Sequence, residues 1–448
     1  MTERLVVIGG DAAGMSAASQ ARRRRSADDL QIIALERSSY VSYSACGEPY
    51  HVAGYVDPLE RLVARTPQQF QAMDIEVRTR HEAIEVDLDA RTVTAADVDS
   101  AIPYQLEFDQ LVMATGATAL RPPIDGIDLP GVTELRTLDD AAWLRRRADG
   151  PKGPVVVIGG GYIGLETAEA FHHRGFQVVV LTSGEAVLDR TLDPDLGHQV
   201  VEALEDMGIT VVTGTRVSCI NGSTSVESVG CGPETFPANL VVLGLGSRPE
   251  TELAAAAGIP IGDSGAIAVD KRQRTDIDGI WSAGDCSQAI HRVTGQPVNY
   301  HLGTIANKTG RVAGINIGGG NAEFPGVLGT AITKVCDLEI ASTGLTSATA
   351  RQAGFQIVIG DARGTTTAGY WPTASPMAIR VIAEEPTNRI LGAQIVGGPG
   401  AGKRIDVFAT AIWNEMTASE LAWTDLAYAP PFSGVWDLIH IAARRTTY

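Results

Sequence analysis

Two glycine patterns and one cysteine carry most of the chemistry available to this chain. Gly159, Gly161 and Gly164 form a complete G-x-G-x-x-G in the run VVVIGGGYIGLETAEAFHHRG. The first glycine of such a pattern makes a tight turn, the second lets backbone approach a diphosphate, and the third lets a helix pack on a strand. The helix start beyond it offers free N–H groups and partial positive charge to phosphate oxygens. An earlier run, LVVIGGDAAGMSAASQARRRR, holds a variant loop with Gly9, Gly10 and Gly14, and Asp11 where the middle glycine usually stands. A carboxylate facing a diphosphate is costly, so Asp11 is expected to point away. Glu36 comes 22 residues after Gly14, at the end of LQIIALE, where an acid can bind both ribose hydroxyls. Cys46 lies ten residues further on, in YVSYSACGEPYHVAG. The segment after it can open a helix, and a thiol at a helix N-terminus shifts toward the reactive thiolate. Glu48 opposes this, because a carboxylate two residues away raises a thiol's pKa unless it faces solvent.

Positioning these groups demands particular elements. Each glycine loop follows a continuous Val/Ile strand of the buried, parallel kind and precedes an Ala-rich helix. A second strand, LQIIALE or FQVVVLT, follows each helix. Two β-α-β units therefore predict two dinucleotide-binding halves. The second unit's strand leads into Thr182 and Ser183, with no acid to repel a 2′-phosphate. NADPH is admitted there and expected over NADH, although no Arg stands beside Thr182. LVMATGA runs a strand into Thr115-Gly116, and TDIDGIWSAGDCS ends one at Gly284-Asp285. An Asp at that end of a strand faces the ligand crevice of a doubly wound sheet. From about residue 323, GTAITKVCDLEIASTGLT and RILGAQIVGG read as strands of a mixed sheet, beside an amphipathic helix in GKRIDVFATAIWNEM.

Composition narrows the class. The 448 residues suggest about three domains, and 44% apolar with 20% charged residues is an ordinary globular balance. A net charge of −17 argues against nucleic acid as partner, since phosphate binding needs a basic surface. No apolar run approaches the ~20 residues of a membrane span. The opening MTERLVVIGG enters a strand at once, with no basic-then-apolar leader. Five cysteines without C-x-x-C spacing indicate neither a disulfide framework nor a metal site. A cytoplasmic enzyme is expected, with Cys219, Cys231, Cys286 and Cys336 as small buried hydrophobes.

The two loops, the A-T-G turn, GLGSRPET, the Gly-Asp motif and the C-terminal segment together resemble the pyridine nucleotide–disulfide oxidoreductases over nearly the whole chain. The resemblance implies an α/β protein with two Rossmann-like dinucleotide-binding domains, for FAD and NAD(P)H, plus a C-terminal α+β dimerisation domain. It implies an FAD domain over 1–112 and 245–322, an NAD(P)H domain over 113–244 and a dimerisation domain over 323–448. FAD is then expected on Gly9, Gly10, Ala13, Gly14, Glu36, Arg37, Thr115, Gly116, Gly284 and Asp285. NADPH or NADH is expected on Gly159, Gly161, Tyr162, Ile163, Gly164, Thr182 and Gly246.

Within the family, SYSACGEPY is most similar to the single-cysteine, coenzyme A disulfide reductase branch, which usually has an apolar residue at the position of Glu48. That likeness implies Cys46 as the redox thiol. The two-cysteine members carry C-x4-C, and here the second position is His51. One thiol can still cycle as a mixed disulfide, a persulfide or a sulfenic acid. DLAYAPPFSGVWD matches a signature of the branch and makes Tyr428 the candidate acid; AGYWPTASP makes Tyr370 a second. In the family these residues reach the cysteine of the other subunit, which implies a homodimer. The branch also places arginines of the first helix on coenzyme A, so Arg22 and Arg23 are candidates, with Ser42, Tyr43 and Arg61 as further lining. Glu48 is a candidate selector of a cationic or smaller thiol. His440 has no acid after it and reads as structural. The reaction implied is NAD(P)H-dependent reduction of a small-molecule disulfide, foremost coenzyme A disulfide. The alternatives are an NAD(P)H oxidase, a persulfide or polysulfide reductase, or an electron-transfer flavoprotein serving a ferredoxin-like partner. The loop GGDAAG lacks the histidine that water-forming oxidases carry there, which weakens the oxidase reading.

Overall fold

A computed structural model describes residues 2–447. Two all-parallel five-stranded sheets grow from the two β-α-β runs. The first orders its strands Ile280–Ser282, Gln110–Met113, Glu3–Ile8, Leu30–Glu36, Glu76–Thr79. The second orders them Thr210–Val212, Gln177–Leu181, Pro154–Ile158, Leu240–Leu243, Val132–Glu134. Central strands such as Leu5–Ile8 and Val155–Ile158 are buried on both faces, as their unbroken Val/Ile/Leu sequence requires. A third sheet of five antiparallel strands, Ala331–Val335 to Ile390–Gly397, carries the C-terminal helices Ile405–Trp413 and Leu438–Arg444.

Helix Ala12–Arg22 follows the first glycine loop and lies against helix Gly303–Ile317. The contact is backbone to backbone: a Cβ on Gly310 would lie 2.1 Å from the carbonyl oxygen of Ala13. Short antiparallel strands, Ala117–Ala119 and Ser247–Pro249, connect the two parallel sheets. Two further three-stranded sheets were not expected from the sequence. They run over His81–Asp87, Thr92–Asp97, Pro103–Glu107 and over Val217–Gly222, Val226–Cys231, Glu234–Pro237.

The second parallel sheet is fixed to the C-terminal sheet through Arg380. Its guanidinium pairs with Asp193 at 3.0 Å, Asp195 at 2.7 Å and Asp361 at 2.8 Å. Asp193 is buried and also accepts from the Ser347 backbone N–H at 3.0 Å and the Ser347 hydroxyl at 2.5 Å. Removing the cation leaves a buried carboxylate short of its charge partner. Arg380→Ala is therefore expected to cost about 3–5 kcal/mol in urea unfolding, whereas loss of an exposed pair such as Lys403–Asp406 should cost under about 1 kcal/mol.

Candidate functional site

The first glycine loop has no room for side chains. Gly9 sits at φ +110°, and a Cβ on Gly14 would lie 1.9 Å from the Gly9 carbonyl oxygen. Asp11 precedes the helix but does not cap it; its carboxylate turns away and accepts the Tyr43 N–H at 3.0 Å. The first N–H groups of an 11-residue helix thus stay free for an anion. Burial, with Glu36 nearby, pushes Asp11 up to about 6, against the backbone hydrogen bond from Tyr43. Glu36 accepts the N–H groups of Gly10 at 2.8 Å and Ser38 at 2.7 Å. Ala13 packs beneath Gly284, whose N–H donates to Thr309 at 3.0 Å.

Asp285 has a partner that sequence reasoning did not identify. Arg136 pairs with it at 3.0 Å and donates to the Ala117 carbonyl at 3.1 Å. Ahead of the helix Gly303–Ile317, His301 lies between Ser247 and Asn299, 2.5 Å from each, and Asn299 donates to the Asp285 carbonyl at 2.9 Å. Thr115 donates to the Glu250 carbonyl at 2.5 Å, and Gly116 follows at φ +77°. Arg37 forms a two-point ion pair with Glu250 at 2.6 and 2.9 Å, so its guanidinium is already engaged.

Cys46 occupies a 3-10 turn, Ala45–Gly47, leading into helix Glu48–Ala53. That short helix packs on Leu138–Asp149 and Tyr162–His173, so the thiol stands at the seam of the two nucleotide units. Among the described residues Cys46 alone of the five cysteines is exposed. Its thiol is not shifted toward thiolate as the helix start suggested. Partial enclosure pushes it up, and the carboxyl groups of Glu166, Glu48 and Asp285 add to that. Glu48 corrects a second expectation. It is 2% exposed, faces no solvent and cannot select substrates at the surface. Burial pushes its carboxyl up to about 8, with Arg136 opposing, and its Oε1 has no hydrogen-bond partner. Glu166 is pushed by burial to about 7 and accepts from the Thr333 hydroxyl at 2.5 Å.

At the second loop a Cβ on Gly159 would lie 2.2 Å from the Gly244 carbonyl oxygen, whereas one on Gly161 would meet nothing closer than 3.9 Å. The open middle position is where a diphosphate can approach backbone. Gly164 packs on Gly159, Ile163 is exposed, and Tyr162 is held partly buried beneath them. Thr182 is buried at the strand end, and Arg190 reaches to within 3.7 Å of where a Cβ on Gly246 would sit.

The remaining candidates are scattered. Ser42, in a left-handed conformation, donates its N–H to the Gly10 carbonyl, and Tyr43 is tied to Asp11. Arg22 donates to the carbonyls of Arg25, Leu30 and Asp74, which closes the helix end. Arg23 and Arg61 are exposed. Tyr370 and Tyr428 lie together, each hydroxyl within reach of the other, and both are exposed, as are Trp423, Phe432, Val435 and Trp436 of the same C-terminal region. His440 is buried against Trp436 and the Thr424 carbonyl, a packing role. Cys219 and Cys231 lie in one antiparallel sheet, Cys286 is fully buried, and burial pushes Cys336 up to about 12.

Comparisons with known proteins agree with this geometry. The family model described as pyridine nucleotide-disulphide oxidoreductase matches residues 3–304, and the model for that family's dimerisation domain matches residues 330–438. An NAD(P)H sulfur oxidoreductase (CoA-dependent) of Pyrococcus abyssi is 37% identical over 98% of this chain and 97% of its own. An NADH oxidase of Methanocaldococcus jannaschii is 36% identical over 98% of both chains. The solved NAD-dependent persulfide reductase from A. fulgidus superposes with a TM-score of 0.93 at 38% identity, covering 98% of this chain and 82% of that one. No helix among the described residues is long and apolar enough to cross a membrane.

The raised carboxyls have a consequence for stability. Asp11, Glu166 and Glu48, near 6, 7 and 8, bind protons in the folded chain that the unfolded chain releases above about pH 4. Their contribution to stability is full below the unfolded value and is lost as pH rises through the folded ones. The cofactor-free protein should therefore melt several degrees lower at pH 8.5 than at pH 6, and Glu48→Gln should remove part of that difference.

Proposed function

Because this chain belongs to the pyridine nucleotide–disulphide oxidoreductase family, FAD-dependent NAD(P)H enzymes, we propose that it reduces a small-molecule disulfide or persulfide of coenzyme A type through the lone thiol of Cys46. The residues fit the two dinucleotides. The close-packed turn at Gly9, Gly10 and Gly14, the uncapped helix start at Ala12, Glu36, Thr115, Gly116 and the Arg136–Asp285 pair would hold FAD. The open backbone at Gly161, with Gly159, Gly164, Tyr162, Ile163, Thr182 and Gly246, would hold NAD(P)H. NADPH is favoured over NADH because the strand end at Thr182 carries no acid to repel a 2′-phosphate. FAD held there would supply two-electron redox chemistry between nicotinamide and sulfur.

The chain's own residues perform the rest. Cys46 Sγ attacks one sulfur of the substrate, the S–S bond breaks, and the departing thiolate takes a proton from Tyr428, with Tyr370 alongside. A second copy of the chain, held through the dimerisation domain, brings these phenols to Cys46. The exposed aromatic face around them is what that copy covers. The mixed disulfide left on Cys46 then accepts two electrons and a proton, releasing the second thiol. Arg23, Ser42, Tyr43 and Arg61 would line the coenzyme A path. The free cysteines fit the reducing cytoplasm.

The observation that carries this reading is the exposed Cys46 at the seam of both nucleotide units, with Cys231, Cys286 and Cys336 buried and Cys219 only partly exposed. The oxidase reading draws on the Methanocaldococcus relative, and oxygen uptake set against thiol or sulfide release separates the two.

Intact mass measured in acid without reductant should show a coenzyme A-sized or persulfide increment that Cys46→Ser lacks. The same variant should retain bound flavin and NAD(P)H-dependent ferricyanide reduction while losing disulfide turnover by at least ~10³-fold. Full disulfide turnover in Cys46→Ser would exclude the thiol mechanism. Tyr428→Phe should lower kcat by about 10²-fold with bound flavin unchanged, measured in steady state.

A further inference from the structure

We propose that Glu48 is a positioning residue for the redox thiol: as a neutral acid it permits the Cys46 thiolate, and as a carboxylate it suppresses it. The inference deepens the reading of Cys46 as nucleophile and rests on it. Glu48 stands two residues past Cys46, at the first position of the helix on which that cysteine's turn is mounted. It is buried and its Oε1 has no hydrogen-bond partner. The one cation that acts on it, Arg136, is committed to Asp285 and the Ala117 carbonyl. A buried carboxyl with an unfilled oxygen and no cation of its own is stable as the neutral acid.

The surrounding groups make its charge matter. Asp140 faces it from the start of helix Leu138–Asp149, Asp11 from the first glycine loop, and Tyr43 from the loop before the Cys46 turn. Glu166 on helix Tyr162–His173 and Asp285 act on Cys46 alongside it. His51, on the same short helix, has its Nδ1 tied to the Val56 carbonyl at 2.8 Å. An extra negative charge at Glu48 therefore enters a crevice that must already take a diphosphate and a thiolate. With its pKa near 8, the acid is neutral at pH 7 and ionises just above. The thiolate fraction of Cys46 should then rise with pH less steeply than that of an isolated thiol.

The test is the rate of Cys46 alkylation by iodoacetamide in the FAD-loaded dimer, its thiol first freed with a reductant that is then removed, followed by intact mass from pH 6.5 to 10. Wild type, Glu48→Gln and Glu48→Leu are compared, with Cys46→Ser as the blank. Wild type and Glu48→Gln should react alike at pH 7, and Glu48→Gln about threefold faster above pH 8.5. Glu48→Leu should follow Glu48→Gln, and carries the comparison alone should Glu48→Gln not hold FAD. Coincident profiles for wild type and both variants across the range would overturn the proposal. Disulfide turnover that survives Cys46→Ser would instead remove the role of Cys46 and leave the alkylation comparison standing.

Discussion

An acidic chain can hold two diphosphates only where backbone N–H groups, not surrounding side chains, face them. With a net charge of −17 there is no general cationic field to draw the phosphates in. The helix starts at Ala12 and Tyr162 supply the attraction locally, and the glycines keep side chains out of the approach. Every acid near the first loop has to be reconciled with that demand. Asp11 is turned onto the Tyr43 N–H, Glu36 onto the N–H groups of Gly10 and Ser38, and Asp285 onto Arg136. Glu48 and Glu166 are reconciled differently, by burial that keeps the proton on. The crevice is thus less negative near neutrality than its residue types suggest.

The same constraint explains where the thiol is mounted. Cys46 belongs by sequence to the first unit, yet its helix packs on two helices of the second. Arg145 donates to the His51 carbonyl at 3.0 Å, which fixes that helix from the second unit's side. The second unit is in turn anchored to the C-terminal sheet by Arg380 and by Thr333 on Glu166. Thiol, second glycine loop and C-terminal domain therefore form one mechanically continuous set. Glu166, held by Thr333 of the C-terminal sheet, is one of the groups acting on Cys46.

Much of this was legible in the residues. Unbroken Val/Ile strands, glycine turns and Ala-rich helices repeat twice, and each element forms where its pattern stands. The antiparallel sheet at residues 217–237 was not legible, because its strands are interrupted by Gly and Ser and are short. Arg136 carries no local motif; only the fold brings it 149 residues across the chain to Asp285. Arg22 resembled a ligand arginine because its spacing places it on the right helix, but spacing does not reveal the three carbonyls that claim it. Glu48 is the most instructive case. Its distance from Cys46 in sequence is a local fact, whereas burial, and hence its protonation, depends on helices that begin 90 or more residues away.

The charge pattern around Cys46 also limits where the proton for the departing thiolate can come from. Within one chain the neighbours of the thiol are carboxyl groups that raise its pKa, and two of them hold protons only because they are enclosed. A buried acid that gives up its proton becomes an unpaired buried charge, which works against the same thiolate on the next turnover. An exposed phenol has no such penalty, since it can be reprotonated from water. Tyr370 and Tyr428 are that kind of group, and they sit together on the aromatic face that the family's dimerisation domain presents. In the proposed mechanism the enclosed acids set the thiol's reactivity and the exposed phenols deliver the proton, so that mechanism needs a second copy of the chain.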